Sequence, residues 1–145
     1  MITMAVFFIT ACHQGSKRGG PTLVSTWAYT PHAMAVHPLS RFKVPLGEKD
    51  PEEIIVHVVF KDGDDYQCRA VGTLVLTLSG NNIKDTVKSI DLADGETNRE
   101  RFDGLTRTYR IHFSEVPQEL SKVRVTATFT PDTDDKLRAS ATIEK

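Results

Sequence analysis

Two segments of the 145-residue chain each carry three aspartates, whose carboxylates are the ligands that hard cations prefer. The first segment holds Asp62, Asp64 and Asp65, and the second holds Asp132, Asp134 and Asp135. Both segments are typical of loops, and neither matches the spacing of an EF-hand. If both loops lie at one end of the fold, they can share a calcium ion. The alternative is that Asp and Gly serve only turn geometry and solubility there.

The other residues that could do chemistry are scattered. Cys12 and Cys68 are the only cysteines, and no Cys-x-x-Cys occurs, which excludes metal sites built on paired thiolates. No Gly-x-Ser-x-Gly elbow occurs, and Cys68 is expected to be a buried, inert thiol. His57 and His112 are expected on outward, solvent-exposed faces of neighbouring strands. The sequence therefore predicts a protein that is not an enzyme.

Composition, length and net charge limit the class of protein, the number of domains and the kinds of partner. Hydrophobic residues make up 39% of the chain and charged residues 26%, as in ordinary globular proteins. The length predicts one domain with a core of its own. The net charge of −1 gives no global field that favours nucleic acid, so nucleic acid is excluded as a partner.

The first twenty residues change character abruptly at Cys12. Residues 4–11 are apolar and too few to span a bilayer, although they suit the apolar region of a secretory signal. Residues 13–20 are polar and rich in Gly, Lys and Arg, a composition that favours a flexible tether. No Lys or Arg precedes the apolar residues.

The four residues Ile9-Thr10-Ala11-Cys12 resemble the lipobox of bacterial lipoproteins. This resemblance implies that Cys12 is cleaved from a signal peptide, acylated and inserted into membrane lipid, because several acyl chains anchor firmly. His13, where a retention signal has Asp, implies an outer-membrane location, on the periplasmic face or the surface. The expected division is a signal peptide at 1–11, the lipidated Cys12 with its tether at 12–30, and a folded domain at 31–145.

The folded region alternates short extended segments with turns. Apolar and polar residues alternate with period two in several of these segments, which indicates half-buried strands. About seven strands are predicted, at 34–44, 54–60, 68–78, 87–92, 107–113, 122–130 and 137–143, with Pro38 interrupting the first. The only helical turn is expected at 96–102, capped by Thr97 or Asn98.

This pattern predicts an all-β fold, an antiparallel sandwich of the Ig-like or fibronectin-III-like type, with an open barrel as the alternative. Tyr109 is expected to fix a corner of the sandwich through its hydroxyl. Residues 98–109 and the hairpin that follows resemble uncharacterised envelope lipoproteins of similar layout, a resemblance that implies no known activity.

The function predicted from the sequence is that of an envelope lipoprotein with a non-enzymatic binding or structural domain. Its expected partners are membrane lipid, through Cys12, and an envelope protein or polysaccharide. A calcium-dependent adhesion or carbohydrate-binding module is the alternative, and calcium is then the only cofactor.

Overall fold

The computed structural model describes residues 30–43, 47, 52–81, 83–117, 119–131 and 135–145. The predicted signal peptide, Cys12 and nearly all of the tether lie outside these residues. The described strands are β1 (Ala33–Val36), β2 (Arg41–Lys43), β3 (Glu52–Lys61), β4 (Gln67–Cys68), β5 (Gly72–Ser79), β6 (Thr86–Asp91), β7 (Phe102–Asp103), β8 (Thr108–Val116), β9 (Lys122–Pro131) and β10 (Leu137–Glu144), and the helix is α1 (Gly95–Arg101).

The strands form two antiparallel sheets, as the sequence predicted. One sheet has the order β1-β3-β8-β7, and β2 and β4 also pair with β3. The other sheet has the order β10-β9-β5-β6. The predicted hairpin near the end of the chain is confirmed, because all of β10 pairs with β9, from Lys122 opposite Glu144 to Phe129 opposite Leu137.

Two segments that were predicted as single strands are divided. Residues 34–44 form β1 and β2, which lie end to end along one edge of β3 with the expected break around Pro38. Residues 68–78 form β4 and β5, which belong to different sheets. The prediction of one continuous strand there is wrong, because the chain crosses between the sheets at residues 69–71.

Apolar side chains from both sheets fill the space between them. In β5, β9 and the middle of β8, every second side chain is buried, and the buried ones face the opposite sheet. Phe60 lies at the centre, with its ring centroid 5.7 Å from that of Tyr109 and 4.7 Å from that of Phe129. Burial of an aromatic side chain of this size contributes about 1.5–3 kcal/mol.

The crossing between the sheets ends at a residue that only glycine suits. Gly72 has a φ of 146°, a backbone conformation that residues other than glycine rarely adopt. A Cβ atom at this position would lie 2.8 Å from the Cα of Pro131 and would also overlap the Thr130 carbonyl oxygen. Gly72 therefore lets β5 start in close contact with β9.

A hydrogen-bonded cluster around Tyr109 holds the crossing in place. The buried Tyr109 hydroxyl accepts from the Ala70 N–H at 3.0 Å and donates to Asn98 Oδ1 at 3.0 Å. The Asn98 amide donates in turn to the carbonyls of Ala70 at 2.8 Å and Leu92 at 2.7 Å. The expected corner tyrosine thus connects β8, the crossing segment and α1.

The helix α1 begins one residue earlier than predicted and has a different cap. It spans Gly95–Arg101, and the Asp94 carboxylate accepts a hydrogen bond from the Thr97 N–H at 2.8 Å. The capping role assigned to Thr97 or Asn98 is therefore wrong, since Asn98 is occupied in the core. None of the described residues belongs to a helix that is long and apolar enough to cross a membrane.

The strand β6 forms one edge of the four-stranded sheet, and it carries a lysine on its inner side. Lys88 lies opposite Leu76 in the register of β5 and β6, so its side chain points towards the other sheet. Its ammonium group donates to the His112 carbonyl and lies 5.1 Å from the centroid of the Phe113 ring. The apolar stem is covered while the charge remains at the rim of the sandwich.

We expect Gly72→Ala to destabilise the protein by about 1–3 kcal/mol, because the added Cβ meets backbone atoms in a strained conformation. Gly104→Ala is the matched control, since a Cβ there has no neighbour within 4 Å. Urea unfolding of both variants measures the difference. Equal unfolding midpoints for the two variants would show that the crossing tolerates a side chain.

Candidate functional site

The strands that precede the two aspartate-rich segments finish at the same end of the sandwich, as the sharing of an ion requires. The first loop follows β3, whose end pairs with β4 through Phe60 and Cys68. The second follows β9, whose last residue, Pro131, lies opposite Gly72. Because only residues 69–71 separate Cys68 from Gly72, both loops leave the sandwich at the end where the chain crosses.

Within the first loop, the carboxylates of Asp62 and Asp65 already have protein partners. The Asp62 carboxylate accepts from the N–H groups of Asp64 at 3.0 Å and Tyr66 at 2.9 Å, and Asp65 forms a 2.8 Å ion pair with Lys61. These contacts are the ones that shape a turn. Among the described residues no three His, Cys, Asp or Glu side chains are grouped as metal ligands, while Asp132 and Asp134 lie outside the described residues and Asp135 is exposed.

His57 is buried, and its predicted exposure is wrong. Its side chain lies on the outward face of β3, but only 4% of the residue is accessible to solvent, and its Nδ1 lies 2.8 Å from Thr108 Oγ1. The residues that connect β1 to β2 contact its backbone, through Ser40 Oγ and the His37 N–H. His112, on the neighbouring strand, is half-exposed and lies 3.6 Å from Glu53.

Cys68 has the properties of a poorly reactive thiol. Burial, with a smaller contribution from the negative charge of Asp62, raises the pKa of Cys68 to about 11. Thiolate is the nucleophilic form, so little of it exists at neutral pH. The partial burial and raised pKa of Cys68 are those of a thiol with low reactivity.

Three adjoining cavities lie at the opposite end of the sandwich from the aspartate loops. One, of about 330 Å³, opens between the sheets and is floored by apolar residues such as Ile54, Leu78 and Phe113. A second, of about 210 Å³, adjoins it around Ile83, Pro117 and Leu120. Both are bordered by the turns that follow β5 and β8.

The third cavity, of about 360 Å³, is polar and opens on the outer face of the four-stranded sheet. Its lining consists of Ser79, Gly80, Asn81, Lys122, Arg124 and Thr142. The register of the sheet brings three of these residues into one row, because Arg124 of β9 lies opposite Ser79 of β5 and opposite Thr142 of β10. We call this set the Arg124 row.

The two positive charges that line this cavity differ in whether another charge neutralises them. Lys122 is held by Glu144 in an ion pair of 2.6 Å, which lowers the pKa of the Glu144 carboxyl and keeps it ionised. Arg124 forms no ion pair or hydrogen bond with any of the described residues, and it is exposed. The row therefore offers an uncompensated guanidinium between two hydroxyl groups, an arrangement suited to anions that also accept hydrogen bonds.

The sequence alone did not indicate Arg124 as a site residue. The alternation of 122–130 and 137–143 was sufficient to place Arg124 and Thr142 on the outward face. Their pairing with Ser79, however, depends on β5 lying beside β9, a contact between segments far apart in the chain. No local signal indicated this pairing.

The fold and the site together define a two-sheet antiparallel β protein with polar and apolar cavities at one end. No protein-family model, curated protein or solved structure matches the chain. The function of this chain is therefore inferred from its own residues.

The burial of His57 predicts a loss of stability in mild acid. Desolvation lowers the His57 pKa from its ordinary value of 6.5, and the nearby positive charges of Arg41 and Arg110 lower it further. The unfolded chain then binds the proton more readily than the folded one, so the stability contributed by neutral His57 is complete above about pH 6.5. It is lost as the pH falls from there towards the lower pKa of the folded state.

We expect the free energy of unfolding to decrease between about pH 7.5 and about pH 5.5, and we expect His57→Gln to reduce this decrease. Urea unfolding at the two pH values measures it. His112→Gln, on the adjacent strand, is the control and should retain the pH dependence of the original protein. A slope that is unchanged in His57→Gln would contradict the assignment.

Proposed function

We propose that this protein is an envelope lipoprotein, anchored through acylated Cys12, whose sandwich domain binds a ligand at the end remote from the anchor. The proposal combines the lipobox-like residues 9–12 with the position of the cavities. It assigns no catalytic role to the domain.

The observation that carries the proposal is the separation between the start of the domain and its cavities. The chain enters the domain beside the last residue of β3, where the His32 N–H donates to the Lys61 carbonyl at 2.8 Å. The apolar cavity lies near the first residues of β3, at Ile54. Seven extended residue steps in β3, from Ile54 to Lys61, separate these points by roughly 24 Å. A membrane anchor on the tether therefore leaves the cavities directed away from the membrane.

We also propose that the sandwich is of the Ig-like type, which the order of its strands supports. Constant-type Ig domains place strands A, B, E and D in one sheet and C, F and G in the other. With β1 and β2 as A, β3 as B, β5 as C and β6 as C′, the strands β7 to β10 follow as D, E, F and G. Tyr109 departs from the Ig pattern, because it lies on the strand equivalent to E and not on F.

The anchor is tested by replacing Cys12. The full chain is expressed in a Gram-negative host with its own leader, and also with two lysines added before Met1 to supply positive charge. We expect the original protein to fractionate with membranes and to incorporate radiolabelled palmitate. Cys12→Ala should lose the label and leave the membrane fraction, because the thioether link can no longer form.

Cys68→Ala is the matched control for this experiment. Cys68 is half-buried within the sandwich, so its replacement should leave the palmitate label and the membrane location unchanged. Equal labelling of Cys12→Ala and the original protein, with either leader, would refute the anchor.

A calcium-dependent adhesion or carbohydrate-binding module is the second proposal, favoured by the location of both aspartate loops at one end of the sandwich. It predicts that calcium raises the melting temperature and that Asp64→Ala combined with Asp134→Ala abolishes the increase. The control is the double variant Asp91→Ala and Asp103→Ala, which loses the same charge outside these loops. A melting temperature that is insensitive to calcium would end this proposal.

A further inference from the structure

More than half of the side chains that β5, β9 and β10 place on the outer face of the four-stranded sheet bear hydroxyl groups. The strands β5, β9 and β10 each place every second residue on this face. The hydroxyl-bearing ones are Thr73, Thr77, Ser79, Thr126, Thr128, Thr130, Ser140 and Thr142. Because the β-sheet fixes their spacing, these groups form a regular grid with about 4.8 Å between strands and about 6.7 Å along each strand.

Two arginines stand in this grid, one towards each end. Arg124 lies between Ser79 and Thr142, and Arg138 of β10 lies opposite Thr128 of β9. Four residues of β9 and one strand spacing separate the two positions, which is a distance of roughly 14 Å between Cα atoms. The two side chains are therefore anchored at separate points of the grid.

Neither arginine is neutralised within the described part of the chain. Arg124 and Arg138 are both exposed and form no ion pair or hydrogen bond there. On the opposite sheet, by contrast, the exposed Arg110 lies 3.8 Å from the Asp103 carboxylate. Lys122 and Glu144 on this face pair with each other, and Asp91 of β6 is the other acidic residue that the described strands place there, so the face still carries net positive charge in a protein whose net charge is −1. Charge of this kind attracts an extended polyanion.

The chemistry of the face favours a polysaccharide over a nucleic acid. Single-stranded nucleic acids bind by stacking bases on aromatic rings, and the described residues of this face include no aromatic side chain. Hydroxyl groups donate and accept hydrogen bonds, which matches the hydroxyls of sugars. Asn81, in the cavity beside Arg124, adds an amide that can do the same.

We propose that this face binds an acidic polysaccharide, with carboxylates of the polymer paired to Arg124 and Arg138 and sugar hydroxyls bonded to the grid between them. The Arg124 row and its cavity form one end of the site. This inference names a ligand for the proposed binding role, and it does not depend on acylation of Cys12.

The test uses the full chain carrying Cys12→Ala, so that no lipid contributes to binding. Affinity electrophoresis at low salt compares alginate, a polymer of carboxylated sugars, with neutral dextran, with inorganic polyphosphate and with single-stranded DNA. We expect retention by alginate only, and retention that falls as salt is added, because exposed ion pairs are screened.

Arg124→Gln and Arg138→Gln should each weaken alginate binding about tenfold, which is what the loss of a charge-assisted hydrogen bond typically costs. Arg110→Gln is the matched control, with the same change of charge on the other sheet, and should bind normally. Thr126→Val, which removes a hydroxyl from the middle of the grid, should weaken binding less than the loss of either arginine.

Four outcomes would overturn the proposal: no binding of alginate, equal binding of dextran, binding of polyphosphate or DNA as strong as that of alginate, or an Arg110→Gln effect equal to that of Arg124→Gln. Each can be told apart from failure of the anchor, which membrane fractionation measures separately. A protein that fractionates with membranes but does not bind alginate would refute the polysaccharide proposal and leave the lipoprotein proposal intact.

Discussion

The constraint on which this fold depends is the need to satisfy the backbone of Ala70. The chain passes from one sheet to the other there, and Ala70 is fully buried, away from any strand ladder. A buried N–H or carbonyl without a partner costs about 1–3 kcal/mol. The Tyr109 hydroxyl and the Asn98 amide supply both partners. Burial raises the pKa of Tyr109 to about 12, so the hydroxyl retains the proton that it donates to Asn98.

The crossing determines where every functional feature of the molecule lies. By carrying the chain to Gly72, it commits β5 to the second sheet, in direct contact with β9. That neighbour relation places Ser79 beside Arg124 and creates the polar cavity. The strands that precede both aspartate-rich segments finish at the crossing end, and the three cavities lie at the other. The surface that we propose for binding thus depends on hydrogen bonds formed at the far end of the domain.

The sequence predicted those features that depend on local alternation. The period-two pattern of 122–130 and 137–143 indicated two paired strands, and it identified which of their residues face outward. The same pattern in 68–78 could not reveal that the segment is shared between sheets, because alternation reports the face of a residue and not the sheet that contains it. Gly72 was the only local sign of the crossing.

The errors concerning individual residues have a common physical origin. His57 faces outward, as alternation predicted, yet it is buried because the residues between β1 and β2 contact its strand. Asn98 suits a helix cap by its chemistry, but its amide is required by the carbonyls of Ala70 and Leu92. In both cases a contact between distant segments determined the environment, and no property of the neighbouring residues encodes such a contact.

The inward position of Lys88 bears on how this protein behaves when crowded beside copies of itself. Among the described strands β6 pairs only with β5, so its other edge offers backbone groups that an extended segment of another chain could join, which is the usual route to fibrous aggregates. Such an added strand would enclose the ammonium group of Lys88 at the rim of the sandwich, and removing that charge from water is costly. A single lysine thereby discourages polymerisation at an edge that must otherwise remain open.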